Sequence, residues 1–172
     1  MAVRQPAISP APGSHRWLAL VGWIVGCFAA AAIGGLASTR ASEFYTALSR
    51  PAWAPPPTVF GPVWTALYLL MAVAAWLVWK DGGWRGPSRL ALRLFVLQLA
   101  LNALWTWLFF VWHRGALALA EIVLLSVIVA LTAILFARRR PLAGVLLSPY
   151  LAWLGFATAL TAALWRRNPT LL

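Results

Sequence analysis

The chain has 172 residues, of which 63% are hydrophobic and 10% charged. A soluble domain of this size carries about 25% charged residues, so the composition excludes an ordinary water-soluble globule and calls for a single-domain polytopic membrane protein. The net charge of +11 falls in short clusters between apolar runs, which argues for membrane-flanking anchors and against nucleic-acid binding.

Residues 1–16 are rich in Pro, Ala and Ser and read as a disordered tail. The first apolar span covers 17–38. It is longer than the apolar core of a signal peptide, about 7–15 residues, so it reads as a retained helix. A long loop, 39–58, follows. Pro51, Pro55, Pro56 and Pro57 lack an N–H donor and clash with a preceding helical turn, so the stretch from Arg50 should be stiff and extended. The second span is 59–79, with Pro62 in its first turn, where proline is tolerated. The third is 90–112, the fourth 116–136 and the fifth 142–165, leaving 166–172 as a short tail. Each span is close to the ~20 residues that cross a ~30 Å hydrocarbon core as a helix. Backbone groups find no water there, so the fold class expected is an all-α membrane protein, a bundle of five transmembrane helices. The short connections predict that helices two to five pack as up-down neighbours.

Counting Lys and Arg sets the orientation. Arg4, Arg16, Lys80, Arg85, Arg89, Arg138, Arg139 and Arg140 fall on one side, and Arg40, Arg50, Arg114, Arg166 and Arg167 on the other. The positive-inside rule then places the N-terminus in the cytoplasm and the Pro/Trp loop outside.

Several patterns lie within the spans. Gly22, Gly26, Ala30 and Gly34 recur every four residues on helix one. Small residues there let another backbone approach, either from the same chain or across a homodimer seam. Helix two carries Trp64, Tyr68, Met71 and Ala75 on one stripe, helix three Gln98, Asn102, Trp105 and Phe109, and helix five Tyr150, Trp153, Ala157 and Thr161. The amides matter most, because lipid offers Gln98 and Asn102 no partner and turns them inward. Two readings stand. The amides and aromatics are interhelical packing, or they close a cavity with indole walls and polar groups for orientation, the usual make-up of a small-molecule site. Of the 12 tryptophans, Trp17, Trp79, Trp84, Trp112 and Trp165 sit at span ends as an interfacial belt. The deeper indoles are suited to stacking on a flat conjugated ligand. Arg93 and Glu121 lie a few residues inside helix ends, where snorkelling to the interface is expected.

Conventional chemistry is not written in the chain. Cys27 is the only cysteine, so no intrachain disulfide forms, and no Cys/His cluster has metal-ligand spacing; no metal is expected. No nucleophile–base pair, paired carboxylates or phosphate-cradling loop appears, so no firm catalytic residue is assigned and no cofactor is obligatory. A tetrapyrrole would be held by stacking and by cations on its carboxylates, with Arg40, Arg50, Arg166 and Arg167 on the appropriate side; headgroup anchoring is the alternative role of those arginines.

Three segments carry a family resemblance: RPAWAPPPTVFGPVWTALY (Arg50–Tyr68), QLALNALWTWLFF (Gln98–Phe110) and SPYLAWLGFATALTAALWRRN (Ser148–Asn168). Their order and spacing resemble the TspO/MBR family of tryptophan-rich sensory proteins and translocator proteins. The resemblance implies a five-helix bundle, commonly homodimeric, whose first loop folds as a lid over a pocket. It implies binding of porphyrins such as protoporphyrin IX, with sterol as a further ligand, and in some bacterial members light-dependent porphyrin breakdown. By motif match the pocket tryptophans are Trp64 and Trp153, also the candidates for oxidative chemistry. Tyr45, Asn102, Trp105 and Ala157 match pocket positions, Trp53, Pro55 and Pro56 the lid, and Glu121 an acidic position in helix four. With Tyr68 and Gln98 from the stripes, these make the expected ligand-binding set. The reading is of a porphyrin sensor or regulator, with porphyrin breakdown and tetrapyrrole transport as alternatives. The setting expected is a bacterial plasma membrane, with the mitochondrial outer membrane as alternative. Thr161-Ala162 and the absence of a tyrosine in Leu160–Arg167 depart from the sterol-recognition pattern and weaken that ligand. Thr106-Trp107 replaces prolines common in relatives, so helix three should run straight at its end.

Overall fold

Five long helices carry the chain back and forth in the computed structural model, which describes residues 14–86 and 88–172. They are α1 (Ser14–Ala37), α3 (Phe60–Trp79), α4 (Ser88–Phe110), α5 (Gly115–Arg139) and α6 (Pro141–Arg167). A short helix α2 (Ala41–Ala47) and a 3-10 turn (Pro57–Val59) fill the first loop. No strand occurs among the described residues. Each long helix has the length and apolarity to span a membrane. Their outer faces expose Leu, Val and Ile side chains such as Val25, Leu69, Val127 and Val145. Contiguous apolar surface of this extent suits lipid, not water. The chain is an integral membrane protein. Residues 1–13 of the expected tail lie outside the described residues, and α1 is already helical at Ser14.

Around the bundle the order is α1, α4, α5, α6, α3, with α3 returning to α1. The short links make α4–α5 and α5–α6 close neighbours, as expected. Helices α3 and α4 touch only lightly, and this departs from sequential up-down packing. Residues 80–87 can span about 26 Å when extended, enough to step past an intervening helix. The long first loop lets α1 return and take that position.

Local chemistry supports these contacts. Gly144 admits α5 to close range, since a Cβ there would stand 2.5 Å from Ala137 Cβ. Pro149 interrupts α6 and cannot donate to the Val145 carbonyl. Ser148 Oγ donates to that carbonyl instead, at 2.7 Å, which removes an unpaired acceptor from the lipid region. At the end opposite the lid, Trp17 stacks on Trp76 at 6.2 Å, and Trp76 Nε1 donates to Arg16 O at 2.9 Å. Asp81 and Arg140 join two loops at that end by paired hydrogen bonds of 2.5 and 2.6 Å. The apolar core fills this half, from Met71, Ala75 and Phe95 to Phe136 and Leu147.

A candidate ligand-binding cavity

The other half of the bundle is hollow. A cavity of about 430 Å³ lies between α1, α3, α4 and α6, beneath α2 and the Pro57 turn. Small-molecule sites run from about 300 to 1,000 Å³. Trp64, Trp105 and Trp153 contribute indoles from three different helices, and Phe28, Phe60 and Phe109 add further rings. Trp64 and Trp153 meet edge to face, with centroids 6.4 Å apart. Trp105 stacks on Phe109 at 5.3 Å.

A polar relay marks the cavity floor. Tyr68 Oη donates to Asn102 Oδ1 at 2.7 Å, and Asn102 Nδ2 donates to Tyr150 Oη at 2.8 Å. Thus one amide ties α3, α4 and α6 together. All three side chains are buried. Paired polar groups at membrane depth avoid the desolvation penalty of lone ones. Trp105 Nε1 is different: it is buried with no acceptor among the described residues.

The lid is held from both sides. Tyr45 on α2 is buried, and its hydroxyl donates to Pro55 O at 3.0 Å. The Arg50 guanidinium lies 5.2 Å from the Tyr45 ring centroid. Asn168, just past α6, accepts from Ser49 N–H at 2.8 Å and donates to Ser49 O at 3.1 Å and Leu164 O at 2.8 Å. This amide clamps the lid to the end of α6. Phe44 stacks on His113 at 4.3 Å, which adds a contact to the α4–α5 turn.

Of the expected set, Tyr45, Trp64, Tyr68, Asn102, Trp105, Trp153 and Ala157 line the cavity together. Trp53 does not: it packs edge-on against Phe156 on the outer side of the lid and is 52% exposed. Gln98 is also apart from the lining. It is buried one turn below Asn102, its Nε2 faces Met71 Sδ at 3.6 Å, and its Oε1 has no partner. The stripes therefore divide by depth. Their lid-side halves face the cavity, while Met71, Ala75 and Gln98 lie in the packed core. Glu121 does not snorkel. It is 8% exposed with both carboxylate oxygens unpartnered, because α5 turns the Ala118–Glu121–Ile122–Leu125 face inward. Arg93 is exposed.

Sequence reasoning missed what α1 contributes. Phe28, Ala31, Gly34, Gly35 and Ser38 form one cavity wall. Gly34 sits against Thr106 of α4, where a Cβ would stand 3.2 Å from Thr106 Oγ1. Of the three glycines in the stripe, only this one makes such an approach among the described residues. Gly22 and Gly26 face outward, with nothing within 4 Å of an added Cβ among the described residues. The four-residue spacing of small residues was the available signal, but it does not say which end of the stripe faces inward.

Fold and site together define an α-helical membrane protein with an aromatic, lid-covered cavity in one half of the bilayer. Residues 23–166 match the TspO/MBR family, and the chain belongs to it. It is 42% identical to the translocator protein of Homo sapiens over 127 residues, 73% of this chain and 75% of that one. It is 39% identical to the tryptophan-rich sensory protein of Cereibacter sphaeroides over 152 residues, 88% and 92% of the two chains. Protein CrtK of Rhodobacter capsulatus is 36% identical over 147 residues, 86% and 91% of the two chains.

Proposed function

We propose that the protein binds a porphyrin such as protoporphyrin IX in this cavity and acts as a membrane sensor or regulator. The observation that carries the reading is the set of three indoles, Trp64, Trp105 and Trp153, contributed by three helices around one cavity. Flat rings stack on a flat macrocycle, and the Tyr68 and Asn102 side chains on the lining add polar groups beside them. Tyr45 and the Pro57 turn close the top, and Arg50, over the Tyr45 ring and outside the lining, is a cation beside that roof. The test is titration of detergent-purified protein with protoporphyrin IX in the dark, followed by tryptophan fluorescence. Saturable quenching in the wild type, weakened in both Trp64→Phe and Trp153→Phe, is expected. No saturable quenching in the wild type overturns the reading.

The pairing of Trp64 with Trp153 in the cavity suggests a second activity, photo-oxidative breakdown of the bound porphyrin, with dioxygen as the oxidant, the excited porphyrin as sensitiser and these indoles as oxidisable neighbours. Its signature is loss of the porphyrin absorption band in light and not in the dark, faster than with free tryptophan. Transport of tetrapyrroles is less favoured, because five helices without an inverted repeat suit alternating access poorly. A sterol is a weaker ligand candidate for want of the tyrosine in Leu160–Arg167. The membrane proposed for it is a bacterial plasma membrane, with the mitochondrial outer membrane as the alternative. Gly22 and Gly26 on the outer face of α1 are the proposed homodimer seam, testable by cross-linking in bilayers.

A further inference from the structure

The cavity wall is incomplete on one side. Four of its lining residues are also exposed: Gly35 of α1, Ser42 of α2, and Gly61 and Thr65 of α3. All four are small. Helices α1 and α3 are antiparallel, and their register can be read from the ring contacts. Trp17 meets Trp76, and Phe28 meets Tyr68 at 6.1 Å. Seven residues further along α1 is Gly35, and seven residues back along α3 is Gly61, so the two glycines stand within about one helical turn of the same level. A Cβ built on either one meets no atom within 4 Å among the described residues. Side chains that bridge the two helices at the tryptophan end thus give way to bare backbone and open space at the lid end. The neighbours on the outward side, Leu36 and Leu69, are exposed apolar residues that would face lipid.

We infer that the cavity takes its ligand sideways from the bilayer, through a portal between α1 and α3 bounded by Gly35 and Gly61. The lid, clamped by Tyr45 to Pro55 and by Asn168 to Ser49, then serves as a roof and not as the entrance. The ligand class that follows is a membrane-dissolved amphiphile, with an apolar body that partitions into the acyl region and a polar end held at the interface. Ser42 puts a hydroxyl on the rim where such an end would pass, and Thr65, whose hydroxyl donates to Gly61 O at 2.9 Å, leaves an acceptor there. This deepens the cavity reading above and rests on its being a ligand site, though not on porphyrin as the ligand.

The test uses the full chain in phospholipid vesicles that contain a photoactivatable diazirine fatty acid. After illumination, labelled residues are located by mass spectrometry. The expected result is labelling of cavity residues on α4 and α6, such as Trp105 and Ala157, beside ordinary labelling of outward residues such as Val127. Gly35→Leu and Gly61→Leu should each lose the cavity labels and keep those at Val127, which also reports that the bundle remains folded. An unlabelled cavity in the wild type overturns the portal, as does cavity labelling that survives in both variants. Porphyrin takes no part in the readout, so the porphyrin reading and the portal fail separately.

Discussion

Asn102 is the residue on which the cavity floor depends. Its amide accepts from Tyr68 and donates to Tyr150, so it joins three helices with one side chain. Interhelical hydrogen bonds in membranes average about 0.6 kcal/mol each, so Asn102→Leu should cost about 1–2 kcal/mol in stability. Unfolding in a detergent series would measure this; an unchanged midpoint would mean the tyrosines find other partners. Gln98, a turn deeper on the same stripe, has one weak sulfur contact and an unsatisfied oxygen. The two amides looked equivalent as a pair on one helix face. Depth separates them, because the cavity occupies only the lid-side half of the bundle.

Among the elements, the lid and α1 decide what kind of site this is. Prolines keep the stretch from Pro51 to Pro56 out of α-helix, and that much was legible in the sequence. The attachment of the lid was not, since the anchor is Asn168, 119 positions from Ser49. Asn168→Ala should remove the clamp and leave the five long helices intact. Amide exchange at Ser49 should rise, and proteolysis should become faster within 48–57. Protection equal to wild type would show that the Tyr45–Pro55 bond alone holds the lid. Helix α4 continues unbroken to Phe110 where Thr106-Trp107 stands. Thr106 Oγ1 back-bonds to Asn102 O at 3.3 Å, and Trp107 Nε1 donates to Ile33 O at 3.2 Å, so this end of α4 is tied to α1.

Across the whole molecule, one end is closed and the other hollow. The closed end is drawn together by the Trp17–Trp76 stack and the Asp81–Arg140 pair. The Arg140 guanidinium, by hydrogen bonding, holds the Asp81 carboxyl below its usual range. A lowered carboxyl contributes stability above its unfolded value and loses it as pH falls through the folded one. Wild type should therefore exceed Asp81→Asn in thermal stability at neutral pH, and the gap should close below about pH 4. The pair is part-exposed, so the gap should be small and shrink with salt. A gap that persists in acid would locate the effect elsewhere.

What the sequence determined by itself was the solvent and the elements. Five apolar runs near 20 residues admit only helices where no water can satisfy the backbone. Three ordered motifs carried the family, and helical periodicity put Trp64, Asn102, Trp105 and Trp153 on inward faces. Tertiary structure decided everything that depends on depth and neighbour order. It seated α1 beside both α3 and α4, made Phe28 to Ser38 a cavity wall, and turned Glu121 inward. It also left Trp53 exposed against Phe156 and left Gly35 and Gly61 exposed on the cavity lining. Periodicity fixes the direction in which a side chain points along its own helix. It carries no information about which helix stands opposite, or whether that space is filled.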